Sequence, residues 1–426
     1  MHFAALGYIS TILTILHLLG DPIDSMWSLL TKLEVSRRCH VWVTRTATRR
    51  VPTKAVAIIL AAMEELDGSG GEINVLTGSI QPYLHPNIDQ DIFDDACKEA
   101  ASELADSKVD ESIRTYLAIL GYLFSLSAAF VDAVDNGSEK PGNRIAFAML
   151  FSWLIPAVLL SAATGRFCSS GSCQRIIERF QWSLNHPHRD CDSGSEMIRK
   201  PQPASCCSRC ISTIQINFHA ARPWAGPIYT YRPEKQIFAT GSGSDRRPLL
   251  LLLFASLPVI LSVSCAFSIS YYTPTVGLGC RSLLQLSIGL LWCFSACITL
   301  LLGRVRFPDG KYLWRMILVK DTLLATPVLL AVILVTIGIF NSCWCWSAAY
   351  SRGRANAFIA LKSDAGREEN SRTKYPALVF ANVGLLLILV VGMRYGEGYR
   401  LRYDSGRERE KRPGVIEYVR CWFKRG

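Results

Sequence analysis

The chain has 426 residues, 50% of them hydrophobic and only 19% charged, with 46 Lys and Arg against 35 Asp and Glu. Length alone would admit two or three soluble domains, yet Pro248–Cys280 and Thr322–Ser351 contain no Asp, Glu, Lys or Arg, and a bilayer-spanning helix needs only about 20 such residues. That pattern excludes a soluble enzyme, a disordered scaffold and a disulfide-rich secreted module, and predicts an all-α, polytopic bundle of about seven spans.

In chain order, residues 1–20 form the first expected span. Met1-His2-Phe3 lacks a basic n-region and Leu18-Leu19-Gly20-Asp21 has no small-residue cleavage pattern, which favours an uncleaved anchor with a translocated N-terminus. Residues 21–114 are expected to be a cytoplasmic loop, basic at Lys32, Arg37 and Arg38 and acidic from Glu64 to Glu111. Its nine-residue apolar run Ala55–Met63 reads as a short interfacial or buried helix. A helix over 88–114 follows from Ile92, Ala96, Ala100 and Leu104 at i+4 steps. Asp89, Asp91, Asp94 and Asp95 lack the central Gly and terminal Glu of a calcium loop, so a solvated acidic helix is preferred to a cation site or a docking helix for a basic partner.

Residues 115–165 read as a transmembrane hairpin, Thr115–Val131 and Ile145–Gly165, and 166–247 as an irregular cytoplasmic loop rich in Cys, Arg, Ser and Pro. A second hairpin covers 248–303, with spans Pro248–Tyr271 and Ser282–Gly303, followed by a cytoplasmic loop 304–321. The last two spans, Thr322–Phe340 and Tyr375–Met393, enclose an exoplasmic loop 341–374 within 322–393. The basic tail 394–426 is expected to lie on anionic inner-leaflet lipids.

Arg and Lys near the span ends crowd the loops beginning at 21, 166 and 304 and the tail, and are sparse in the alternate loops. The positive-inside rule therefore puts the N-terminus outside and the C-terminus in the cytoplasm. The sequon Asn136-Gly137-Ser138 then falls on the exoplasmic side, making Asn136 a candidate N-glycosylation site. The same bias accounts for the +11 net charge without nucleic acid, for which no aromatic-interleaved platform or zinc-finger spacing is present.

Cysteines are the main chemical candidates. Juxtamembrane Cys168 and Cys173 are candidates for S-acylation. Cys280, Cys343 and Cys345 fall on the exoplasmic side, where a disulfide from Cys280 to Cys343 or Cys345 is expected. Cys207 and Cys210 would make half a zinc site, but His186, His188 and Cys191 around Pro187 are a poor second half, so no metal is assigned. His186-Pro187-His188-Arg189-Asp190 lacks the His-to-Asp spacing of membrane acyltransferases, and no nucleophile elbow, phosphate loop or dinucleotide fingerprint occurs. No catalytic residue and no cofactor is expected. With spans bounded at charged residues, the apolar runs hold only His17, Gln285, Asn382 and scattered Ser and Thr as polar content, which disfavours proton-coupled transport. Pro156, Pro258 and Pro327 are each expected to kink a span.

The segment from Tyr271 to Ser282, Tyr-Tyr-Thr-Pro-Thr-Val-Gly-Leu-Gly-Cys-Arg-Ser, resembles a motif in multi-pass membrane proteins of filamentous fungi that have no assigned function. The resemblance reaches from the fourth span to the seventh and implies architecture alone. Physically the motif is a tight turn in which Gly277 and Gly279 permit positive φ and Arg281 would anchor the next helix at the interface. The functional expectation is a non-enzymatic receptor-like or scaffold protein of the lipid bilayer, in the plasma membrane or an endomembrane. The alternative is a facilitator or carrier for an uncharged or lipidic solute, not proton-coupled.

Overall fold

The structure is a computed structural model, and it describes residues 12–47, 51–66, 80, 90–107, 112–135, 141–164, 170–185, 247–273, 276–302, 310–341, 345, 347–358 and 373–396. The described residues are all-helical, with no strand. Five helical stretches are long and apolar enough to cross a membrane: Asn143–Ala162, Leu250–Tyr272, Cys280–Leu302, Arg315–Ile337 and Tyr375–Met393. Two of the expected spans differ. Thr115–Val131 is a shorter apolar helix, and of the first span only its second half is described.

Helix α1 (residues 12–20) ends at Gly20, and α2 (Pro22–Thr46) starts one residue later. Sequence explains the break. Asp21 leaves helical geometry, at φ −144° and ψ 74°, and its carboxylate accepts the Asp24 amide, while Pro22 sits in the first turn where a missing N–H does no harm. Past the expected boundary at Gly20, α2 stays packed in the bundle. Ile23, Met26, Leu29 and Leu30 are buried among the membrane-length helices, whereas Cys39 and Val43 enter a second core. A charged residue near a hydrophobic run is a poor marker of where that run stops packing.

The second core joins the end of α2 to α3 (Thr53–Leu66), α4 (Gln90–Asp106) and α8 (Ser170–Asn185). The run Ala55–Met63 takes the buried option rather than the interfacial one, with Ala55, Val56, Ala57 and Ile59 fully enclosed. The stripe on α4 is likewise internal: Phe93, Cys97, Ala101 and Leu104 are inaccessible, and Asp95 and Glu99 stay in the open on the other side. α8 gives the expected third loop a helix near its start. Cys173, Ile177, Phe180 and Leu184 recur at helical spacing and close the module against α4 and α3, a pattern hidden in a segment whose composition is dominated by Arg, Ser and Cys.

The bundle contains α5 (Ser112–Asp135), α6 (Pro141–Leu150), α7 (Leu154–Thr164), α9 (Arg247–Tyr272), α10 (Cys280–Leu302), α11 (Gly310–Ile337) and α12 (Tyr375–Gly396). α9 is its hub, packing on α2, α6, α10 and α12. Pro156 breaks the third expected span into α6 and α7 through bonds of the tighter i→i+3 kind at Phe151, Ser152, Leu154 and Ile155. Pro258 and Pro327, by contrast, lie inside unbroken helices. The outer faces are apolar, with Leu117, Phe124, Leu290, Phe294, Leu323 and Ile388 exposed, as suits a surface solvated by lipid.

Candidate functional site: a buried ionic cluster

The end of α1, the start of α2 and the middle of α11 meet in a group of charged side chains inside the bundle. Lys320 Nζ lies 2.5 Å from Asp21 Oδ2 and 2.8 Å from Asp321 Oδ1. His17 Nδ1 lies 2.5 Å from Asp321 Oδ2, and its other nitrogen, Nε2, faces Asp24 Oδ2 at 4.0 Å. All five residues are at least nine-tenths buried. From α10, Thr299 donates to Asp21 Oδ2 at 2.8 Å, and the Ser295 and Thr299 hydroxyls accept from Lys320 at 3.0 and 2.6 Å.

Backbone geometry makes this possible. Gly20 is pressed against the Asp321 carbonyl so closely that a Cβ there would collide with backbone, which no side-chain movement relieves. Trp292 of α10 donates its indole N–H to the Leu19 carbonyl at 2.8 Å, occupying an acceptor freed where α1 ends. Asp21 therefore serves three purposes at one point: it caps α2, accepts from Thr299 and pairs with Lys320.

The cluster overturns a premise of the sequence reading. With spans cut at charged residues, Lys320 was assigned to the cytoplasmic loop 304–321 and the sixth span to Thr322–Phe340. The helix in fact runs on from Gly310, and its membrane-length part, Arg315–Ile337, contains Lys320 and Asp321. The ground for disfavouring proton coupling therefore disappears, because charge lies within a helix long and apolar enough to cross a membrane. Asp21 and Asp24 were missed for the same reason, at the other side of the Gly20 boundary. His17 was visible, but Asp321, its hydrogen-bond partner, is 304 residues away in sequence. Gly20-Asp21-Pro22, a cap-and-proline signal interrupting an apolar stretch, was the available hint.

A second polar node holds α7, α9 and α12 together. Ser152, in the turn before Pro156, lies 2.7 Å from the Ser262 hydroxyl and accepts from Asn382 Nδ2 at 3.0 Å. Gln285 is buried elsewhere, on α10, and Gly289 of that helix meets Val263 so closely that an added Cβ would lie 2.6 Å from it. Ser152, Ser262 and Asn382 thus bond across helices, whereas the Ser268, Ser287, Thr326 and Thr336 hydroxyls return to carbonyls of their own helices.

The cysteine expectations fare unevenly. Cys173 is wholly buried in the module core, so this fold does not present its thiol to an acylating enzyme; Cys168 lies outside the described residues, as do Asn136, Cys343, His186, His188 and the tail from 397 onward. Cys280 and Cys345 lie on adjacent segments, for the Gly279 backbone sits against the Cys345 carbonyl. In the turn before α10, Gly277 has φ 139°, whereas Gly279 is needed for that close approach rather than for positive φ. Arg281, one residue into α10, is buried at 4% exposure. Among the described residues no three His, Cys, Asp or Glu side chains are placed to hold a metal ion.

No protein-family model, curated protein or solved structure matches this chain.

Proposed function

We propose that the chain is a non-enzymatic, receptor-like membrane scaffold in which a helical bundle carries a helical cytoplasmic module. One observation carries this reading: α2 contributes to both hydrophobic cores, Ile23 to Leu30 in the bundle and Cys39 and Val43 in the module. A helix of 25 residues that belongs to two cores is a mechanical link between them. Direct bonding of Ser152, Ser262 and Asn382 speaks against the rival, a facilitator or carrier for an uncharged or lipidic solute, which would need those groups to face an open path.

In this reading α1 and α5 complete a seven-span arrangement with an exoplasmic N-terminus, and the basic tail lies on anionic inner-leaflet lipids. The membrane is the plasma membrane or an endomembrane. The purified chain in liposomes should leave the flux of glycerol, urea and short-chain lipid at the level of protein-free vesicles; saturable flux would replace the scaffold with the carrier. Protease added outside sealed cytoplasm-out vesicles should cut the module and tail, and protection of both would invert the topology.

A further inference from the structure

We infer that the outer face of α8 is a binding site for an anionic phospholipid of the leaflet beside the module. The site deepens the scaffold reading and rests on it only for which leaflet supplies the lipid.

α8 has two chemically distinct sides. Cys173, Ile177, Phe180 and Leu184 close the module core, and the opposite side presents Arg175, Arg179 and Trp182 at i, i+4, i+7 spacing. Trp182 is 58% exposed. An indole, apolar in body and carrying one N–H, is a ring favoured at headgroup depth. Alongside, Ser172, Arg175, Ile176 and Arg179 line a shallow, mostly apolar cleft of about 210 Å³. A mostly apolar wall that includes two arginines suits a ligand with both a phosphate and hydrocarbon. A free phosphate, polar on every side, would gain nothing from such a wall.

Two carboxylates border this face. Glu103 of α4 accepts from Arg179 Nη1 at 2.5 Å, and Glu178 accepts from Gln174 at 2.8 Å. Arg175 Nη2 lies 3.4 Å from Ser172 Oγ. A guanidinium carries five N–H donors in a planar fork, so a bond on one nitrogen does not exhaust it for phosphate.

Connectivity keeps α8 near the bilayer. It starts eight residues beyond Ala162, the end of a membrane-length stretch, and a chain of that length reaches about 28 Å at most. On α2, Leu30 is buried in the bundle core and Cys39 in the module core. Nine helical residues separate them, about 14 Å, against a polar layer about 5–8 Å thick on each side of a bilayer. The module core therefore begins just past the headgroups, and the side of α8 turned away from that core is the side open to lipid.

Amide hydrogen exchange of the full chain tests this, comparing nanodiscs of phosphatidylcholine with nanodiscs that also contain phosphatidylserine. Residues 172–182 should exchange several-fold more slowly in the anionic discs, because a bound lipid stabilises the state that binds it. Arg175→Gln combined with Trp182→Ala should abolish the difference. No slowing in the wild-type chain, or equal slowing in the double variant, overturns the proposal. So does equal slowing by inorganic phosphate or polyglutamate added to phosphatidylcholine discs, which would give the face to a soluble anion. Should the double variant fail to fold, Arg175→Gln alone decides, since undiminished slowing there removes the site. Both leaflets of a disc carry the same lipids, so the result does not depend on which side of the membrane holds the module. Solute flux or an inverted protease pattern would fail the scaffold reading and leave the lipid effect in place.

Discussion

The bundle and the module both have apolar cores, but they differ in what covers the outside and in where their charge lies. In the module, Val56, Ile59, Phe93, Leu104 and Phe180 fill the centre, and ion pairs stand at the rim, Arg179 with Glu103 at 2.5 Å and Lys98 with Asp95 at 3.3 Å. In the bundle, large apolar side chains cover the outside while Asp21, Lys320, Asp321, Ser152, Ser262 and Asn382 meet within. The solvent explains the reversal. Water drives apolar groups together around the module, but lipid tails solvate leucine as well as another helix does, so interhelical attachment falls to close packing and polar contacts.

That contrast predicts where each region breaks. Lys320→Met should have the largest effect, because it leaves Asp21 and Asp321 buried without their ammonium partner, and breaking a buried pair on one side costs about 3–5 kcal/mol. Detergent-induced unfolding should show the bundle weakened while exchange in α3 and α4 is little changed. Leu104→Ala should do the opposite, removing about 2–5 kcal/mol from the module and raising exchange over 53–63 and 170–177 with the spans intact. An equal response of both regions to either substitution would break the comparison. Asn382→Val sharpens it at smaller scale: interhelical hydrogen bonds in membranes are worth about 0.6–1.7 kcal/mol, and the Ser152–Ser262 contact remains.

The helical class, the bundle and most span centres were legible because long uncharged apolar runs have few other fates. The module was half legible. The α4 stripe could be read from its spacing, but α8 could not, because Cys173, Ile177, Phe180 and Leu184 are diluted among Arg, Ser and Gln and sit in a segment with no helix-like composition on either side. The cluster was illegible for a physical reason. Lys320 and Asp321 find their further partners Asp21 and His17 only when these arrive from the far end of the chain, and a window that scores residues singly counts them as a span boundary. Compensation between distant charges is a property of the fold, which hydropathy cannot see.

A last prediction turns on a histidine of the module. His40 lies in the part of α2 that enters the module, buried beside Cys39 and Val43 and within reach of the Thr44 hydroxyl. Burial, and then the Lys54 charge, hold its pKa below the ordinary histidine value. The unfolded chain therefore binds a proton that the folded module resists, and the module is most stable above about pH 6.5 and loses stability as pH falls through the lower folded value. Acidification from pH 7.5 to 5.5 should raise exchange in α3 and α4, and His40→Gln should flatten that response. The same acid step should leave exchange in α9 and α10 little changed, because α9 after Arg247 and α10 after Arg281 carry no Asp, Glu, Lys, Arg or His. If both regions move the same way, a global effect of pH accounts for the change, and the opposed polar designs of bundle and module are not what governs it.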